Sequence, residues 1–394
     1  MLSVQTRRPP RRLSAILVCV VLFVGATAAA PTAERGWRVE ISPGDAIYPV
    51  LDLSQGQSDE PSRTPSTQFG GGAGLVAVEV RARRADEPVA LTVEAPFLAG
   101  PAQVEAVLPR RGETYRLQPL LRWDRQALAS LLAPTRASMT FRLQRDDAVE
   151  VIERPVRVHP LGEALYYVRD GADHVDLGWI FAAYANPASP VVDEILAQAR
   201  RNHPELPLTR DARRDTATAM AEAFAIWEVI HDHGVRYADE DPGLSRGPAV
   251  WSQRVRLHEQ VWDEKRANCI DSSLLLAAAF VRLGIDSALV LVPRHAMLAF
   301  RVSASQTPQV LETTLLGSRL LSPRPVPAFA GAMDDYDRDA MDTFAAALAA
   351  GQARYAREAK GFRARSPDYQ WIDLATARAY GIIPLAAPAR ANGR

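Results

Sequence analysis

Cysteine is nearly absent from this chain, with two in 394 residues. Cys19 falls inside an N-terminal apolar stretch, so a chain shortened by residues 1–30 keeps Cys269 alone and can form no internal disulfide. Exported domains that need covalent staples carry cysteines in even numbers. This fold must therefore be held by its core, and 47% apolar residues are enough to build one. An excess of one charge is missing as well. The whole chain balances 46 basic against 46 acidic residues, and without residues 1–30 the count is 42 against 46, a net charge of about −4. Nucleic-acid binders carry a basic excess clustered on one face, so the balance excludes nucleic acid as a partner. There is no CxxC pair, no Gly-rich phosphate loop and no internal repeat.

The N-terminus carries four arginines in "RRPPRR", followed by "LSAILVCVVLFVGATAAA". A basic head, an apolar middle and small residues at the end make a secretory signal over residues 1–30. The expected localisation is exported, periplasmic or extracellular, with no other membrane attachment. An uncleaved anchor is the competing reading, because about 20 apolar residues span a bilayer and this stretch is slightly shorter. Val18 is too bulky for lipoprotein processing at Cys19.

From Trp37 to Pro160 the pattern has period two: Val76, Val78 and Val80 alternate with polar or small residues, as do Met139, Phe141 and Leu143. Such alternation predicts half-buried strands, and turn clusters separate them at the spacing of a small sandwich. Residues 37–160 are thus expected to form an antiparallel, immunoglobulin-like β-sandwich. Within it, residues 54–74 are rich in Ser, Gly, Pro and Gln and read as a mobile loop.

Residues 161–265 read as mainly helical. One helix opens with Ser189 as cap and Pro190 at the first helical position, and another carries the apolar face of Phe224, Trp227 and Ile230 up to Gly234. A third runs through "NCIDSSLLLAAAFVRLG", where Asn268 can cap, Asp271 completes a capping box and Gly284 ends the helix. It is apolar almost all round and so expected to be buried. Two strand-like segments follow, containing "RHAMLAF" and "QVLETTLLG". Residues 323–394 form a C-terminal extension read as helical, beginning near Asp334.

Cys269 stands at the start of its helix, where unpaired N–H groups and the helix dipole stabilise a thiolate and can also hold the oxyanion of a tetrahedral intermediate. His295, at the start of the first strand, is the available base. A hairpin between the strands places Glu312 across from it within a residue or two of register. Nucleophile, base and orienting acid would then stand in line. Taken singly, Cys269 reads as a small core residue, His295 as a structural histidine and Glu312 as a surface carboxylate. The conjunction changes the reading.

"ANCID", "RHAMLAF" and "LETT", occurring in that order, resemble the transglutaminase-like branch of the papain-like superfamily. "AEAFAIWEVIHDHGVRYADEDP", ending near Tyr237, is similar to the helix that precedes that motif. The resemblance covers about residues 215–320. It implies an α+β fold in which a transglutaminase-like domain, residues 161–322, packs a buried Cys-bearing helix on a β-sheet. It also implies a Cys269–His295–Glu312 triad acting on a protein or peptide substrate, cell-envelope material included, with neither cofactor nor metal. Two positions depart from the pattern: Ala267 replaces a glycine, and Glu312 replaces the commoner aspartate. Gln253, Gln260, Trp251 and Trp262 can supply a further oxyanion donor, and Gln260 is preferred. Asp263 stands where papain-type enzymes carry a glutamine, and an ionised aspartate cannot donate.

The remaining motifs read as structure. His231 and His233 complement a helix end and lack a third ligand. "DYDRDA" fails as a calcium loop because Ala340 and Ala346 replace the required glycine and glutamate. The expected activity is thioester chemistry on amides, with hydrolysis slightly favoured over transamidation. A non-catalytic binding or scaffolding protein that retains the fold is the alternative, and a redox sensor a third reading.

Overall fold

The computed structural model describes residues 36–55, 67–170, 173–210, 215–238, 244–247, 250–301, 307–364, 366 and 368–386. The signal at residues 1–30 and positions 56–66 of the expected mobile loop lie outside them. The fold is mixed α+β with several sheets. The chain divides into two compact units. One ends at Val175 and takes in Gly247–Trp251, and the other comprises Asp176–Arg246 and Ser252–Ala387.

In the first unit the period-two segments are strands. One sheet orders Trp37–Ile41, Val76–Arg81, Thr114–Leu117 and Gln68–Phe69, and the other orders Ala46–Ile47, Ala148–Val158, Thr135–Arg145, Glu87–Glu94 and Ala102–Leu108. Alternation buries one face of each: Val78 and Val80 in the first, Val89, Leu91, Met139, Phe141 and Leu143 in the second. The buried Arg145 of the second sheet donates to the carbonyl oxygens of Gly36 and Arg81 beside the first. Glu163–Asp170 is a strand rather than part of a helical region. Its Leu165, Tyr166, Tyr167 and Val168 are all buried in succession, and an aromatic, β-branched run suits a strand enclosed on both faces.

The second unit holds five principal helices: α1 (Pro190–Asn202), α2 (Thr216–His233), α3 (His258–Glu264), α4 (Cys269–Arg282) and α5 (Arg338–Ala364). Its sheet contains β1 (Asp286–Val292), β2 (His295–Arg301), β3 (Gln309–Leu311) and β4 (Gln370–Asp373), in the order β3-β2-β1-β4. Ser189 and Pro190 open α1 as the sequence predicts. The 323–394 segment is not wholly helical: β4 pairs antiparallel with β1 and completes the sheet.

Each face of the sheet has a helical cover. Phe280 of α4 meets Phe300 of β2, ring centroids 5.1 Å apart. On the opposite parity, Val290, Met297, Ala299 and Val310 are packed by Tyr355 and Phe362 of α5. Gly351 lets α5 lie against β3, since a Cβ there would stand 2.3 Å from the carbonyl oxygen of Val310. No helix among the described residues is long and apolar enough to cross a membrane.

Candidate active site

The site is built where α4 begins. Asn268 caps the helix, its Oδ1 accepting the N–H groups of Ile270 and Asp271, each at 3.0 Å. Asp271 reciprocates by accepting the Asn268 N–H at 3.0 Å. Arg256 then fixes the acid from outside the helix, donating through its backbone N–H at 2.8 Å and its Nη1 at 3.1 Å. Burial dominates at Asp271 and holds its pKa above the ordinary carboxylate value despite these donors. The Ser272 N–H bonds the Asn268 carbonyl. Among the described residues, the N–H of Cys269 is thus the donor left over in this first turn.

Ala267, in the usual glycine position, needs no left-handed backbone. It lies in a short extended pair with Tyr237, and the positive φ occurs at Lys265 instead. The departure from the motif introduces no strain at residue 267.

His295 opens β2 immediately after a tight turn whose register sets Val292 opposite it. Its Nε2 lies 2.9 and 2.8 Å from the two carboxylate oxygens of Glu312, and the ring interacts with the Cys269 side chain. Among the described residues both carboxylate contacts fall on Nε2, and none on Nδ1. Burial works against charging the ring, but the hydrogen bonds and negative charges of Cys269 and Glu312 prevail and push its pKa up to about 9. Cys269 is partly buried and carries no disulfide.

The register explains why a glutamate serves as the acid. Leu298 pairs with Leu311, so continuing the ladder sets residue 312 opposite Met297 and two residues short of pairing with His295. Residues 295 and 297 share a face by alternation, and diagonal neighbours are about 7–8 Å apart at the backbone. The extra methylene of glutamate covers that offset. Burial opposes ionisation of Glu312, but the bonds from His295 and Thr314 hold its pKa below the ordinary range. The Thr314 hydroxyl donates to Oε1 at 2.8 Å. From α5, Arg354 Nη1 stands 3.6 Å from Oε2.

Thr313 ties the acid's turn to the nucleophile's helix. Its hydroxyl donates to the Cys269 carbonyl at 3.2 Å and lies 3.0 Å from the Ser273 hydroxyl, all within the buried side of the turn. Consecutive residues thus face opposite ways, Glu312 to the imidazole and Thr313 to α4.

The structure brings Cys269, His295 and Glu312 together. The Oε1 of Gln260 accepts the Leu257 N–H at 2.9 Å and closes the first turn of α3. Arg256, Thr313 and Arg354 were not singled out from the sequence. Thr313 had a signal, as the hydroxyl after the acid in "LETT". Arg354 had only an indirect one, the glycine three residues earlier in an alanine-rich helix, which marks a close backbone approach.

Two motifs that looked separate in the sequence also meet. His231, Asp232 and Asp337 offer ligand atoms within 4.8 Å of one another. His231 is bonded to Asp232 and to the Ser318 carbonyl, and Asp337 Oδ1 caps α5 through the Ala340 N–H at 2.7 Å. His233 stacks on Trp262 with centroids 3.6 Å apart. Compared with protein-family models and with curated proteins, the sequence matches none.

Proposed function

We propose that this protein is an exported thiol enzyme of the transglutaminase-like branch of the papain-like superfamily, acting on amide or peptide bonds of a protein or peptide substrate. In this reading the first unit is an immunoglobulin-like sandwich, the second is a papain-like domain, and residues 1–30 are the export signal. One observation carries the proposal: the imidazole of His295 is bonded to the Glu312 carboxylate and also interacts with the Cys269 side chain. Coupled nucleophile, base and orienter are what acyl transfer through a thioester requires.

His295 takes the proton of Cys269, and the thiolate attacks the substrate carbonyl. The resulting oxyanion is held by the free Cys269 N–H, an electrostatic contribution typical of acyl transfer. As the intermediate collapses, the carbon–nitrogen bond breaks and His295 delivers its proton to the leaving amine. Glu312 keeps the ring oriented and stabilises its charged form. Water then resolves the thioester to a carboxylic acid, or a second amine resolves it to a new amide. Hydrolysis is slightly favoured, because water is always present.

The test is alkylation of the intact protein by iodoacetamide at pH 6. An activated Cys269 reacts much faster than a small model thiol and loses that advantage in His295→Ala. Slow reaction in both proteins would overturn the proposal and favour a non-catalytic scaffold. A redox sensor would show peroxide sensitivity unchanged by His295→Ala.

A further inference from the structure

We propose that Arg294 and Arg354 form an anion subsite beside the Cys269–His295 pair, which selects substrates with a carboxylate next to the amide under attack. The inference rests on the reading above and names the substrate class for it.

Two independent features support it. Arg294 lies in the two-residue turn between Val292 and His295 and has φ 61°. That left-handed conformation is cheap for glycine or asparagine and strained for other residues. The side chain in this costly position is exposed, directly precedes the base in the chain, and has no ion-pair or hydrogen-bond partner among the described residues. A guanidinium carries five N–H donors in a fixed fork that matches a carboxylate.

Arg354 approaches from α5, fixed by the close packing of Gly351 on Val310 and by the bond from the Glu312 N–H to the Ala347 carbonyl at 3.0 Å. Its recorded partner is Glu312, through Nη1 alone and at 3.6 Å, and 32% of the side chain remains exposed. Among the described residues most of its donor fork is therefore uncommitted, with Glu312 standing between it and the imidazole. Glu312 is ionised but already bonded to His295 and Thr314. In the proposed subsite the two guanidinium groups add positive charge at the edge of the site, and a substrate carboxylate binds there without disturbing the triad.

Iodoacetate and iodoacetamide carry the same leaving group and differ in charge, so the ratio of their rates at Cys269 reads the local field. The ratio is measured in full-length wild type, Arg294→Gln, Arg354→Gln and the double variant, at pH 6 and at pH 9. The expected result is a ratio well above that of a small model thiol, falling about fivefold in the double variant, as a charge interaction at the rim of a protein allows. Ratios equal in wild type and all three variants would overturn the subsite. The imidazolium also attracts iodoacetate, but it is common to all four proteins and cancels. Failure of the thiol-enzyme reading shows separately, as slow iodoacetamide alkylation at pH 6. At pH 9 an unactivated thiol also reacts, so the ratio still decides the subsite.

Discussion

Among the histidine–carboxylate pairs of the second unit, His295–Glu312 and His203–Glu228 look alike locally and differ in what they can do. His295 Nε2 lies 2.8 Å from Glu312, and His203 Nε2 lies 2.6 Å from Glu228. The difference is at the other ring nitrogen. That of His203 faces Glu205 at 3.2 Å, so both nitrogens are occupied by carboxylates, and the side chain is 2% exposed. The ring of His295 interacts with the Cys269 side chain and, among the described residues, meets carboxylate at Nε2 alone. Glu228 also accepts the Asp337 N–H at the approach to α5, which makes the His203 cluster a clamp between helices. A histidine–carboxylate pair is therefore no sign of catalysis unless the second nitrogen faces a group that can react.

The strongest break in this comparison is His203→Ala. It leaves Glu205 and Glu228 facing each other without a cation, and breaking a buried pair costs about 3–5 kcal/mol. Urea unfolding should show a loss of that order, while Cys269 in the folded fraction keeps its iodoacetamide rate. Equal loss of thiol reactivity would mean that the two pairs are not separable.

A third histidine sharpens the contrast. His258 is buried without a carboxylate, and burial drives its pKa down to about 4. The unfolded value is near 6.5, so between pH 6.5 and 4 the unfolded chain holds a proton that the folded chain rejects. Stability should fall as pH drops through this window, by about 3 kcal/mol at its foot from this group. Comparing urea midpoints at pH 7, 5.5 and 4.5, His258→Asn should show a shallower decline than wild type. His203 and His295, both raised, act with opposite sign: their contribution is complete below about pH 6.5 and is lost as pH rises through their folded values, near 9 for His295.

His295→Ala should lower the pH 6 alkylation rate of Cys269 by about 100-fold, the lower range for a positioned base. Its unfolding midpoint should move less than that of His203→Ala, because His295 is only partly buried. The smallest expected effect belongs to Glu312→Gln. Removing the carboxylate removes one of the two charges that raise the ring, so the alkaline limb of thiol reactivity should move from near pH 9 toward neutrality by about one unit. An unmoved limb would show that Glu312 only orients the ring.

Much of this was legible from local pattern. The period-two runs around Val78 and Phe141 are strands with the expected inward faces. Asn268 and Asp271 form the expected capping box, and Gly284, at φ 74°, lies just beyond the end of α4. The pairing of His295 with Glu312 was within reach because a hairpin's register follows from its turn to within two residues. Less visible was anything requiring distant segments to meet. The strand Glu163–Asp170 looked like part of a helical region because a run buried on both faces loses its alternation. The cap that the Gln260 oxygen makes on the Leu257 N–H cannot be told from an open side chain by spacing alone.

By itself, the sequence determined the elements and the chemical inventory: which segments alternate, where a helix begins, and that one thiol, one imidazole and one acid follow in order. Those properties depend on neighbours within a few residues, where backbone geometry sets the period and the caps. Only the tertiary structure decided which nitrogen of His295 meets Glu312, that no described partner takes the N–H of Cys269, and that α5 delivers Arg354 to Glu312 across more than forty residues of chain. Such contacts arise from packing, where burial of apolar faces brings distant segments together and the polar groups carried with them must find partners in place of water.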